Sequence, residues 1–146
     1  MLGKTHIAFA LLVAIVAVEY VAANTLVFVF VVVVAALLPD LDVKNSTLSR
    51  NFPFLSWFAK HRGMLHSFLA AVVGYFLISL FSEALGIAFF LGYCSHLMLD
   101  MITVQGVVLL APFSRKRFRG FLKTGSFEER MLFLLVCVLI VFALFF

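Results

Sequence analysis

The chain has 146 residues, 65% of them hydrophobic and 12% charged, and its mean hydropathy is +1.20. So apolar a composition excludes a soluble globular enzyme and a disordered chain, and the length allows one domain. The net charge of +4 is a small excess that points to topology and anionic lipid rather than to nucleic acid.

Residues 7–23 form a first apolar segment, broken only by Glu19, and Asn24 supplies a turn. A cleaved signal peptide is a poor fit to this stretch, because Met1 to Thr5 offers a single positive charge. The run 25–39 is short and rich in Val and Phe. Such residues favour strands in water, but in lipid every backbone group must be satisfied internally, so a helix is expected. Its length is marginal against the roughly 20 residues of a full span, which sinks Asp40 and Asp42 toward the membrane. Residues 40–65 are a polar linker with Lys44, Arg50, Lys60 and Arg62, and the stretch from Phe52 to Phe58 is aromatic enough to lie among the headgroups.

Further spans are expected at 67–80 and 85–102, joined by a tight turn around Ser82 and Glu83. A second polar linker, 103–127, carries Arg115, Lys116, Arg117, Arg119 and Lys123. Its first role is contact with anionic lipid. Glu128 and Glu129 then open a last span, 130–146, where negative charge suits a helix N-terminus. The predicted architecture is an all-α, polytopic membrane helix bundle of five spans, 7–23, 25–39, 67–80, 85–102 and 130–146, in the cell (inner) membrane. Lys4 and the two basic linkers place the N-terminus in the cytoplasm, since the turns at Asn24 and Glu83 carry no Lys or Arg. Cys94 and Cys137 lie in apolar segments and read as packing residues, and Cys94 is turned off the His96 face.

On this topology all the histidines and aspartates fall on one side of the membrane. His6 opens span one, Asp40 and Asp42 close span two, His61 and His66 lead into span three, and His96 and Asp100 lie in span four. His96 and Asp100 are four residues apart and share a helix face. A charge at membrane depth costs about 2.5 to 3.5 kcal/mol even on lenient scales, so such residues are functional candidates. Imidazoles with carboxylates suit zinc first, with manganese or iron as alternatives. Seven candidates accommodate either one ion or two, with ions in a two-metal site roughly 3.5 to 4 Å apart. Separately, each motif has a plainer reading: His6 as an interfacial residue, Asp40-Leu41-Asp42 after Pro39 as a helix stop, His96 with Asp100 as an ion pair or proton relay. Thr103, on the same face, is placed to hold the Asp100 carboxylate. Arg62 is the candidate for gripping a phosphoester, because a guanidinium fork matches phosphate.

The set Thr5-His6, Leu38-Pro39-Asp40-Leu41-Asp42, His61-Arg62-Gly63-x-x-His66-Ser67, Gly92-Tyr93-x-Ser95-His96-Leu97-x-x-Asp100-x-x-Thr103-x-x-Gly106 and Leu110-Ala111-Pro112-Phe113 resembles the YdjM-like family of membrane-bound metal-dependent hydrolases. The resemblance runs from Thr5 to Phe113. It implies a small multi-helix membrane protein with a His and Asp metal centre, hydrolytic and loosely similar to zinc-dependent phospholipases C. His6, Asp40, Asp42, His61, His66, His96 and Asp100 are the implied ligands, with Arg62 close by. Met64-Leu65 puts apolar side chains in the middle of the histidine motif.

The expected function is therefore metal-dependent hydrolysis of an ester or phosphoester in a lipid or lipid-linked substrate at the cytoplasmic leaflet. Asp42 or Asp100 would accept the proton and Arg62 would hold the substrate. A metal or proton transporter could use the same cluster, but its path should continue to the far side, where the spans offer only Glu19 and Glu83. A membrane-tethered interaction protein would instead depend on Arg115, Lys116 and Arg117. The sequence leaves the oligomeric state open.

Overall fold

The computed structural model describes residues 1–21, 24–42 and 65–145, without the side chains of Leu41 and Asp42. His61, Arg62 and the aromatic stretch from Phe52 to Phe58 lie outside the described residues. Five helices follow in order: α1 Gly3–Val18, α2 Thr25–Leu37, α3 Phe68–Ser79, α4 Glu83–Met101 and α5 Phe127–Phe145, with a 3₁₀ turn, Leu38–Asp42, continuing α2. By length and composition α4 is long and apolar enough to cross a membrane, while α1, α2 and α3 are shorter apolar helices.

Local chemistry sets most of the helix starts. Asn24 caps α2 by accepting from the Val27 N–H, and Ser67 caps α3 by accepting from the Ala70 N–H. The valine run of α2 is helical, as expected for backbone that must satisfy itself. Three boundaries differ from expectation. Helix α1 runs Gly3–Val18 rather than 7–23, which puts His6 inside the helix rather than at its door. Helix α5 starts at Phe127, so Glu128 and Glu129 are already in its first turn.

Helix α4 is the hub and packs against α1, α2 and α3, whereas α5 packs against α1. Two apolar clusters fill the bundle. One joins Ala10 and Ala14 of α1, Phe28, Val32 and Ala36 of α2 and Ala88 of α4. The other gathers Ala35, Ala71, Phe89, Tyr93, Leu97 and Val107.

The segment from Thr103 to Ser126, expected as a plain polar linker, is folded. Val107 and Phe118 exchange both backbone hydrogen bonds, Val104 donates to Leu122, and Gly120 donates to Thr103. Thr103, Val107, Ala111 and Leu122 are buried. Gly106 makes the turn possible: its φ of +63° is left-handed, and a Cβ there would run into the Phe118 carbonyl. The segment also reaches α3, whose first N–H, from Phe68, donates to the Leu109 carbonyl.

Candidate metal centre

Helix α4 supplies the wall of the site. Its i, i+4 spacing brings the His96 ring to Asp100, with Nε2 3.4 Å from Oδ2. His6 of α1 enters from one side and stacks on His96 with ring centroids 4.0 Å apart. Its Nε2 lies 3.4 Å from Asp100 Oδ1. Asp40, in the 3₁₀ turn after α2, places Oδ1 3.7 Å from His96 Nε2. His66, at the head of α3, puts Nε2 3.9 Å from both Asp40 Oδ1 and Asp100 Oδ2. The Met1 amino nitrogen also lies 3.2 Å from Asp100 Oδ1. Three imidazoles and two carboxylates thus converge from four parts of the chain. The sets His6–Asp40–His96 and His66–His96–Asp100 each hold their ligand atoms within 4.8 Å of one another.

The supports of this cluster are as specific as its members. His96 Nδ1 is 2.7 Å from the Ala36 carbonyl, which can only accept, so Nδ1 carries the proton and Nε2 keeps its lone pair toward the cluster. That arrangement is the usual one for a metal-binding histidine, whose other nitrogen is held by an acceptor. The Tyr93 hydroxyl donates to the Leu65 carbonyl, next to His66. Thr103 does not hold the Asp100 carboxylate, as its spacing suggested. Its hydroxyl donates to the Asp100 backbone carbonyl at 2.7 Å and accepts from the Gly106 N–H, so it closes the end of α4 instead.

Burial makes the chemistry acute. His6 and His96 are each 1% exposed, while the Asp40 side chain is 39% exposed and sits at the mouth. Among the described residues, both ring nitrogens of His6, Nδ1 of His66 and Nε2 of His96 are buried without a hydrogen-bond partner. Leaving one buried polar group unpaired costs about 1–3 kcal/mol, and a cation among the carboxylates would relieve the two of these atoms that face them, His6 Nε2 and His96 Nε2. Asp40 Oδ1 lies 3.7 Å from His96 Nε2 and 3.9 Å from His66 Nε2, so its carboxylate and the two imidazoles face one another across a gap in which an ion could bind.

Of the seven expected ligands, His6, Asp40, His66, His96 and Asp100 come together. Asp42 closes the 3₁₀ turn two residues from Asp40, with its side chain outside the description, as are His61 and Arg62. Sequence reasoning gave no role at the site to the Ala36 carbonyl, Tyr93 or Glu129, the last read only as negative charge at the start of a helix. Only Tyr93 left a signal, lying three residues before His96 and seven before Asp100 on one helix face.

Fold and site together define an all-helical membrane protein with a histidine and aspartate cluster, a candidate metal centre, built into one end of the bundle. The chain belongs to the family described as YdjM inner membrane protein, whose model matches residues 1–146. It is 33% identical to YvsG of Bacillus subtilis (strain 168) over 138 residues, 90% of this chain and 86% of that protein. It is 37% identical to the inner membrane protein YdjM of Escherichia coli (strain K12) over 102 residues, which is 60% of this chain and 50% of that longer protein. The YdjM of Shigella flexneri matches to the same extent. No solved structure matches.

Proposed function

We propose that this protein is a membrane-bound, metal-dependent hydrolase of an ester or phosphoester bond in a lipid or lipid-linked substrate, with its site at the cytoplasmic leaflet. One observation carries the reading: five ligand-type side chains from four parts of the chain meet around buried imidazole nitrogens that have no other partner. A divalent transition ion, zinc first, fits this donor set. Both ligand sets use His96, and its single free nitrogen, Nε2, can serve one ion only, so the described residues favour a mononuclear site.

When bound, such an ion supplies Lewis-acid polarisation of the scissile group and acidification of a water. The chain supplies the rest. His6, His66 and His96 hold the ion, Asp100 braces His6 and His96, and the more exposed Asp40 stands where substrate arrives. A carboxylate left free of the ion, Asp42 or Asp100, takes the proton, and Arg62, four residues before His66, grips a phosphoester oxygen. The substrate class is argued from the surroundings. Phe113 and Phe121 are 85% and 82% exposed in the segment that carries Arg115, Lys116, Arg117, Arg119 and Lys123, all exposed at the same end of the bundle as the site. Aromatic tips with cations suit an anionic bilayer surface.

Transport fits less well. The His6 and His96 rings are backed by Ala10, Ala14, Phe28, Val32, Ala36 and Ala88, each fully buried, and among the described residues this apolar plug offers no ligand for an ion to step to. Docking of a protein partner through the basic segment leaves the buried histidines without a purpose.

The test is elemental analysis of the purified protein beside assays on lipid ester and phosphoester substrates. One transition ion per chain is expected, lost together with hydrolysis in His66→Ala and His96→Ala. Metal-free wild type, or variants that match it, would overturn the proposal.

A further inference from the structure

Helix α5 lies outside the motifs of the site, and apart from its first turn it is mostly exposed apolar surface. Met131, Leu134, Leu135, Val138 and Phe142 are each at least half exposed. Against this background Glu129 stands out, a carboxylate 1% exposed in the first turn of the helix. Among the described residues, no Lys or Arg forms an ion pair with its oxygens. Oε1 accepts from the Leu2 N–H at 2.7 Å and from the Thr5 hydroxyl at 3.1 Å, and Oε2 accepts from the Gly125 N–H at 2.5 Å.

Leu2 and Thr5 are the N-cap and third residue of α1, and Leu2 has no capping side chain of its own. In a capping box, the glutamate at the third position reaches back to the N-cap N–H. Here the third position holds Thr5, and the glutamate arrives from another helix, 124 residues along the chain. A carboxylate at a helix N-terminus also complements the helix dipole. Lys4 adds a second tie, its ammonium 5.1 Å from the centre of the Phe133 ring of α5. The residue after Thr5 is His6, whose ring stacks on His96 and meets Asp100. Among the described residues His6 makes no hydrogen bond through either ring nitrogen, so beyond the Asp100 oxygen at 3.4 Å and the stacked His96 ring its aim depends on where the first turn of α1 is held.

We infer that Glu129 is a positioning residue of the metal centre, fixing the first turn of α1 so that the His6 imidazole points at the ion. This inference rests on the metal-binding reading above. It makes α5 a structural arm of the site, a role beyond that of a membrane span.

The experiment is zinc titration of the detergent-solubilised full chain, with Co2+ absorption as a spectroscopic signature, for wild type, Glu129→Ala, Glu129→Gln, His6→Ala and the double variant Glu129→Ala/His6→Ala. Glu129→Ala should weaken zinc about 10- to 100-fold, the range for residues that orient a ligand. Its Co2+ spectrum should resemble that of His6→Ala, and the double variant should bind no more weakly than His6→Ala alone. Glu129→Gln, which keeps one acceptor oxygen, should fall between wild type and Glu129→Ala, and it serves as the test if the alanine variant does not fold. Wild-type affinity in the Gln and Ala variants, or losses that multiply in the double variant, would overturn the role of Glu129 while leaving the metal centre standing. A wild type that takes up no zinc would overturn both.

Discussion

Tyr93 shows how narrowly single atoms define this site. Its ring is buried between α3 and α4, and its hydroxyl donates to the Leu65 carbonyl, one residue before His66. On the other side of His66, Ser67 caps α3. His66 thus hangs between two fixed neighbours although it belongs to no helix. Tyr93→Phe keeps the ring and removes the donor, and an orphaned carbonyl costs about 1–3 kcal/mol if it stays buried. The expected outcome is a folded protein whose zinc affinity, read by calorimetric titration, drops about 10- to 100-fold. Unchanged affinity would mean that His66 is held by other means. His96 and Asp100 were legible in the sequence because a helix guarantees that residues four apart meet. The roles of Tyr93, Thr103 and Glu129 were not, because each depends on which backbone atom of a distant or turning segment comes within reach. Thr103 illustrates the limit: the spacing put its hydroxyl beside Asp100 correctly, but the carbonyl rather than the carboxylate receives the bond.

At the scale of elements, the contact that matters most is α2 on α4. Gly92 allows it, since a Cβ there would run into the Val32 carbonyl and press on the Ala35 side chain. One turn further along, the same close approach lets the Ala36 carbonyl reach His96 Nδ1. Gly92→Ala should therefore have two effects at once. Overpacking costs roughly 1–3 kcal/mol, visible as a lower thermal midpoint of the apo protein, and the displaced α2 should weaken zinc as well. Gly3→Ala, with nothing within 4 Å of the added methyl, is the control and should lower neither. If Gly92→Ala lowers the midpoint but leaves zinc affinity intact, the Ala36 carbonyl is not what orients His96. Among the described residues, the number and order of the helices could be read from apolar runs and turn residues, because lipid leaves backbone few alternatives. The folded segment after α4 could not. Its Arg and Lys residues are exposed as expected, but the buried residues that organise it, Val107, Ala111 and Leu122, are scattered singly among them.

For the whole molecule, the proposed bundle of spans raises the question of how helices this short would sit in a bilayer. At about 1.5 Å per residue, helices of 12 to 16 residues such as α1, α2 and α3 are roughly 18–24 Å long, against about 30 Å of hydrocarbon. The difference must come from flanking segments that dip into the membrane or from local thinning, and a site at the inner ends of short helices would then lie near the level of lipid ester groups. On the proposed topology, charge distribution would make the cluster end the inner one. Among the described residues, Lys4, Arg115, Lys116, Arg117, Arg119, Lys123 and Arg130 fall in the segments around the cluster end, while the opposite turns, near Tyr20 and Phe81, carry only Glu19 and Glu83. In a Cys94→Ala/Cys137→Ala background, Tyr20→Cys and Phe81→Cys, at exposed positions, should react with a membrane-impermeant maleimide added to spheroplasts. Lys116→Cys and Thr124→Cys should react only after the membrane is opened. The reverse pattern would turn the site outward and remove the cytoplasmic leaflet as its substrate source. Labelling of all four from outside would mean that α4, which lies between Phe81 and Lys116, does not cross either, and would require the cluster to work at the surface rather than within the bilayer.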